Sequence, residues 1–243
     1  MPKNVRIDRD LEMRDERGAN VRGPMMEEKR HRFDRFDGIA LDTTNRWAVS
    51  VPGTGDSIAI SETVGGSVLL THGSSDNDSC MLSSAIIYND TKEAIVEFRI
   101  TITNVTGSGV FVGFSDAKSE TNGQIALQYP ANTFTSTATN AVGFVIDADH
   151  SSSLVRAASV KAGSDTTPVS TGVTWTDGQT KTLRVLLKSD DSAIFILDGT
   201  IVASIASAIA SGTLMCATVQ VITRAAEGVD TIRVHSFDSW QDD

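Results

Sequence analysis

Two aspartates separated by one residue, Asp147 and Asp149, are the best candidates for metal chemistry in this sequence. They fall at the end of a predicted strand, where residues at i and i+2 point the same way and can share a hard cation such as calcium. Calcium usually takes more carboxylates than two, and the sequence has no D-x-D-x-D-G loop. We therefore predict no obligatory metal or cofactor, with calcium at these two residues as the open alternative.

Carboxylates that hydrolyse a glycosidic bond work in pairs, because one donates a proton while the other attacks or activates water. Glu93 and Glu97 flank or face outward from one predicted strand, and Glu120 lies in a predicted turn, so none forms such a pair. The sequence has no G-x-S-x-G elbow, and its four histidines lack metal-site spacing. Cys80 and Cys216 lie far apart and are expected to be reduced and buried, with a disulfide as the alternative. We predict that the protein is not an enzyme.

Three tryptophans could offer an indole face to a sugar ring. Trp47 falls in an early predicted strand and Trp240 in the last one, so we expect both to be core or edge anchors. Trp175 lies in a turn-rich stretch and is the one expected to be exposed. A single exposed indole is a weak indication of a lectin.

The composition of the chain changes at about residue 36. Residues 1–36 carry ten basic and eight acidic side chains and no periodic apolar face, whereas residues 37–243 carry eleven basic and 23 acidic ones. So polar a segment cannot fold alone, which predicts an extended arm that docks on another molecule. The predicted partner-binding residues are its arginines: Arg6, Arg9, Arg14, Arg17, Arg22, Arg30, Arg32 and Arg35.

The charge and hydropathy of the rest limit its partners. An acidic body argues against nucleic acid, because phosphate contacts need clustered lysine and arginine. No apolar run reaches the 18 residues of a membrane span, so no membrane partner is predicted.

The sequence of residues 37–243 predicts many short strands and little helix. In 93–105 and again in 181–188, apolar and polar residues alternate with the period of a strand that has one dry face. Asp198-Gly199, between two apolar runs, indicates a β-hairpin. The prediction is an all-β, two-sheet antiparallel jelly-roll sandwich that needs nothing from the arm to fold.

The stretches that carry a family resemblance are GVFVGFSDA, AVGFVIDAD and TLRVLLKSDDSAIFILDG. The strand pattern of residues 40–240 resembles that of the concanavalin-like jelly roll in its laminin-G-type form. Glycosidases of that fold carry an E-x-D-x-x-E arrangement on a strand, which is absent here. Sandwich and arm together are similar to structural proteins of tailed-phage virions.

The resemblance implies a non-enzymatic capsid decoration or cement protein. It would assemble in the host cytoplasm into the virion, bind the major capsid protein or another virion protein, and form a homo-oligomer. The alternative is a glycan- or receptor-binding, lectin-like module of a tail fibre, with carbohydrate as its ligand.

Overall fold

The computed structural model describes residues 29–61, 65–150, 153–224 and 230–242, together with the backbone of two short strands before them. In chain order the strands are Met13–Arg14 (β1), Asn20–Val21 (β2), Lys29–Asp34 (β3), Trp47–Ser50 (β4), Ser57–Ser61 (β5), Ser67–Thr71 (β6), Ser79–Ser84 (β7), Ile95–Ile102 (β8), Ser108–Ser115 (β9) and Leu127–Gln128 (β10). They continue with Thr135–Ser136 (β11), Ala141–Asp147 (β12), Leu154–Lys161 (β13), Ser164–Asp165 (β14), Val169–Thr174 (β15), Thr180–Leu187 (β16), Ala193–Leu197 (β17), Thr200–Ile205 (β18), Cys216–Thr223 (β19) and Thr231–Asp242 (β20).

Two eight-stranded antiparallel sheets form a sandwich. Sheet I has the order β14-β13-β12-β9-β19-β7-β4, and β15 also pairs with β13. Sheet II has the order β18-β17-β16-β8-β20-β6-β5, and β3 also pairs with β20. The helical segments of the described residues are two 3₁₀ turns, Asp90–Lys92 and Pro130–Asn132, and no helix there is long and apolar enough to cross a membrane. The predicted all-β jelly-roll sandwich is confirmed.

The apolar residues of the alternating strands form the core between the two sheets. In β8, Val96, Phe98 and Ile100 are buried between the sheets, while Glu97 and Arg99 point outward. The predicted hairpin at Asp198-Gly199 joins β17 to β18, and both residues have positive φ, 48° and 82°. Positive φ at both central residues is the requirement of the tight turns that match strand twist.

The outer face of sheet I is covered by the segment between β9 and β12, residues 116–140. Ile125, Leu127 and Tyr129 of that segment pack in a second apolar cluster against Phe111 and Val145 of the sheet. Every residue of β7, β9 and β19 is consequently buried. The outer face of sheet II is the more open surface, since its outward residues are half-buried or exposed.

The predicted boundary at residue 36 needs correction, because Lys29–Asp34 pairs with Phe237–Asp242 of β20 as a strand of sheet II. Phe36 follows it into the core, 1% exposed, with its ring 5.3 Å from that of Trp47. The sandwich thus begins at Lys29, and the segment before it is residues 1–28, of which β1 and β2 pair with each other. The expectation that the arm would not fold back on the body is wrong for its last eight residues.

Candidate functional site

Asp147, which the sequence left open as a calcium candidate, is already bound by an arginine. Arg224 donates from Nη2 to Asp147 Oδ2 at 2.7 Å and from Nε to Oδ1 at 2.9 Å, and both side chains are buried. The backbone N–H of Tyr129 also donates to Oδ2, at 2.8 Å. Asp149 Oδ2 lies 3.7 Å from Arg224 Nε. The guanidinium stands where a cation would have to sit, so the geometry is that of a buried ion pair.

Arg224 also ties together the chain segments around this ion pair. Its Nη1 donates to Asn77 Oδ1 at 2.9 Å, and its Nη2 donates to Gln128 Oε1 at 3.0 Å. One guanidinium therefore links the end of β12, the covering segment and the loop before β7. No sequence pattern indicates this role, because Arg224 is an isolated basic residue after β19. In the described part of the chain, no three His, Cys, Asp or Glu side chains are arranged to hold a metal.

The carboxylates considered for hydrolysis lie on different faces of the sandwich. On the sheet II side, Glu97 pairs with Arg184 at 2.6 Å and Glu93 with Lys188 at 3.2 Å. Glu120 belongs to the segment covering sheet I, where its backbone N–H contacts Met81 Sδ, and burial raises the pKa of its carboxyl group. Glu120 and Glu97 are thus separated by the sandwich and do not form an acid pair.

Two of the three tryptophans are buried. Trp47 is a core residue as predicted, and its Nε1 donates to Asp34 Oδ2 at 3.0 Å. The expectation that Trp175 is exposed is wrong, because it is fully buried and its Nε1 donates to the Gln179 carbonyl at 3.0 Å. The turn 176–179 folds back to satisfy the indole N–H, which allows the ring to join the core.

Trp240 is the half-buried tryptophan, on the outer face of sheet II. His31 of β3 stacks on it with ring centroids 5.3 Å apart and an interplanar angle of 8°. Arg184 reaches it from the opposite side of β20, with its guanidinium carbon 5.8 Å from the ring centroid. Both faces of the indole therefore carry a neighbour, and neither is free to stack on a sugar ring.

The edge strand β3 brings polar and aromatic side chains together beside Trp240. We call this surface the β3 edge; it consists of residues 30–35 and their neighbours on β20. His31 Nε2 lies 2.5 Å from Asp238 Oδ1. Phe33 is 40% exposed, and its carbonyl accepts from Arg46 Nη1 at 3.4 Å. A cleft of about 360 Å³ separates β3 from the start of β4. The β3 edge is the candidate functional site because it joins the charged N-terminal segment to the sandwich.

The structure places part of the predicted arginine set on this edge. Arg30 and Arg32 are exposed residues of β3, and Arg35 follows the strand with its guanidinium carbon 5.3 Å from the centre of the Phe33 ring. Arg14 lies in β1, whose backbone alone is described. The remaining members lie outside the described residues: Arg6, Arg9, Arg17 and Arg22.

Comparison with solved structures identifies the fold. A structure of unknown function, SO2946 from Shewanella oneidensis MR-1, has a TM-score of 0.55 at 13% identity over 92% of this chain and 96% of that one. A glycosyl hydrolase family 16 protein from Mycobacterium smegmatis has a TM-score of 0.58 at 12% identity, over 86% and 98% of the two chains. The Emp47p carbohydrate recognition domain has 0.53 at 12% identity, over 82% and 90%. The chain has the concanavalin-like jelly-roll fold.

The fold does not by itself carry a function, since these neighbours include hydrolase-family and carbohydrate-recognition domains on one architecture. No family model and no curated protein matches this chain. The residues of the site therefore carry the evidence for function.

Proposed function

We propose that this protein is a non-enzymatic virion structural protein, a capsid decoration or cement protein of a tailed phage that docks through its N-terminal segment. The supporting observation is the pairing of β3 with β20. The charged N-terminal segment ends as a strand of sheet II, and residues 1–28 are thereby attached to an edge of the sandwich at Lys29. The first residues after that segment are therefore hydrogen-bonded to β20 as part of a sheet.

The reach of the segment suits cross-linking of neighbouring subunits. Residues 1–28 can span on the order of 90 Å when extended, at about 3.3 Å per residue. Each exposed charge pair that they form on another surface contributes at most about 1 kcal/mol. Many copies on one particle would nevertheless hold firmly, because each further attachment is intramolecular. Binding to the major capsid protein and assembly as a homo-oligomer are parts of this proposal.

The second candidate is the lectin-like tail-fibre module, and the likeness to the Emp47p carbohydrate recognition domain is the comparison that supports its lectin-like part. The described aromatic residues support it less well. Trp47 and Trp175 are buried, and Trp240 lies between His31 and Arg184. A sugar would have to displace one of these neighbours in order to stack on an indole.

Co-sedimentation tests the proposed function. The full chain and a chain of residues 29–243 would each be mixed with capsids assembled from the major capsid protein of the same genome. We expect the full chain to sediment with capsids, and the truncated chain to lose at least about 90% of that binding, because loss of multivalent attachment removes most of the avidity. Equal sedimentation of both chains would contradict docking through residues 1–28.

A further inference from the structure

A second cleft lies on the outer face of sheet II, and Phe33 lines both this cleft and the one beside β4. It has a volume of about 430 Å³ and is lined by Phe33, Arg35, Gly65, Gly66, Arg99 and His235 together with Ser236. The described lining contains three basic side chains and no acidic one, although the protein as a whole carries a formal charge of −10. We call it the basic cleft.

The two arginines of the basic cleft have no ion-pair partner among the described residues. Arg35 and Arg99 are both exposed, and the guanidinium group of Arg35 contacts the Phe33 ring. The nearest acids in the sheet register are already engaged, since Asp238 pairs with His31 and Glu97 with Arg184. Among the described residues, no carboxylate lines the cleft that these two guanidinium groups face.

A β-bulge brings the third basic side chain into the cleft. The register of β20 against β8 shifts between Val234 and Ser236, so that His235 and Ser236 both face outward. His235 Nε2 lies 2.8 Å from Thr101 Oγ1, which holds the ring in place. Burial, followed by the charges of Arg99 and Arg233, lowers the pKa of His235, so the ring is neutral at neutral pH. Bulges are common where a strand re-aims a side chain beside a binding site.

The far wall of the cleft is backbone. Gly66 has a φ of 66°, and a Cβ at this position would lie 2.5 Å from the Phe36 carbonyl oxygen. The turn at Gly65-Gly66 therefore packs directly on the chain that follows β3, which no residue with a side chain could do without displacement. This close approach fixes the position of the glycine wall, and the 40% exposed side chain of Phe33 also lines the cleft.

We infer that the basic cleft binds a carboxylate side chain of the partner protein, held by the guanidinium groups of Arg35 and Arg99. Guanidinium groups bind carboxylates through paired, charge-assisted hydrogen bonds. A single inorganic anion would leave most of the cleft filled with water and Phe33 exposed, whereas an acidic peptide segment can place its carboxylate on the arginines and its apolar atoms on Phe33. This inference rests on the proposed function, since it gives the chemistry of the surface on which the β3 edge docks.

An octa-aspartate peptide tests the cleft directly, through the Nε–H resonances of Arg35 and Arg99 in the full chain. We expect saturable shifts of both resonances and at least about a ten-fold higher Kd in the double variant Arg35→Gln, Arg99→Gln, because charge-assisted hydrogen bonds are the strong ones. The control is the double variant Lys118→Gln, Arg156→Gln, which removes the same charge on the sheet I side and should leave the Kd unchanged. Absence of shifts, or an equal Kd in both double variants, would overturn the assignment.

Two further measurements distinguish a peptide ligand from a free anion, and the cleft assignment from the proposed function. Inorganic phosphate that shifts the same resonances with an affinity equal to that of octa-aspartate would mark a free-anion site and overturn the peptide assignment. Capsid co-sedimentation of the arginine double variant, reduced below that of its control, would support docking through this cleft. If the full chain failed to sediment but octa-aspartate still bound, the proposed function would fail and the cleft assignment would stand.

Discussion

Removal of residues 1–36 will destabilise the sandwich strongly, whereas removal of residues 1–28 will not. The longer deletion takes away β3, which pairs with half of β20, and also Phe36, a core residue that packs on Trp47. Deleting a buried phenylalanine side chain alone costs about 3–5 kcal/mol. At about 2–4 °C of Tm per kcal/mol for a domain of this size, the longer deletion should lower Tm by 10 °C or more. Scanning calorimetry of the two truncated chains measures the difference.

Phe36→Ala in the full chain is the matched control for this prediction. It keeps β3 and should reproduce a large part of the loss, because the cavity beside Trp47 remains. The sequence alone predicts that the sandwich folds without any of residues 1–36, so the experiment separates the two boundaries. Melting of both truncated chains within about 2 °C of each other, less than the effect of 1 kcal/mol, would contradict a sandwich that begins at Lys29.

Arg224→Met will be among the most destabilising single substitutions in the chain. It leaves Asp147 fully buried without its cation and also removes the donors bound to Asn77 and Gln128. Breaking a buried pair by removing one partner costs about 3–5 kcal/mol. We expect a loss of this size in the free energy of unfolding, measured by urea titration.

The double variant Arg224→Met, Asp147→Asn is the control, because it removes both charges and leaves no buried carboxylate without a partner. It should recover a substantial part of the loss. Calcium gives an independent check, because a pair already neutralised by Arg224 has little to gain from a cation. A calcium-dependent rise in Tm of several degrees, abolished by a chelator, would contradict the assignment of Arg224 as the partner of Asp147.

The strands with clear alternation were the predictable part of the fold. Glu93–Val105 and Lys181–Lys188 have one face in the core and one in water, so their period-2 pattern predicted β8 and β16. Strand β7 was not predicted, because its sequence SCMLSS shows no alternation. It is buried on both faces under residues 116–140, and nothing in its local sequence indicates that a distant segment covers it.

The site was less predictable than the fold because its residues meet through tertiary pairing. Strand β3 is a run of charged residues, and its place in sheet II depends on β20, which comes some two hundred residues later. The Arg224–Asp147 pair likewise joins residues 77 positions apart. The turn-rich stretch around Trp175 predicted an exposed ring. In the structure the ring is buried, because the Gln179 carbonyl accepts a hydrogen bond from its N–H. Such contacts leave no periodic trace in the sequence.

Electron cryo-microscopy of capsids saturated with the full chain tests the docking proposal most directly. The account predicts density for the sandwich on the outer shell, with residues 1–28 running from Lys29 across neighbouring capsid subunits and a capsid carboxylate at Arg35 and Arg99. Capsids carrying no such density, or density in which residues 1–28 contact only their own sandwich, would contradict it.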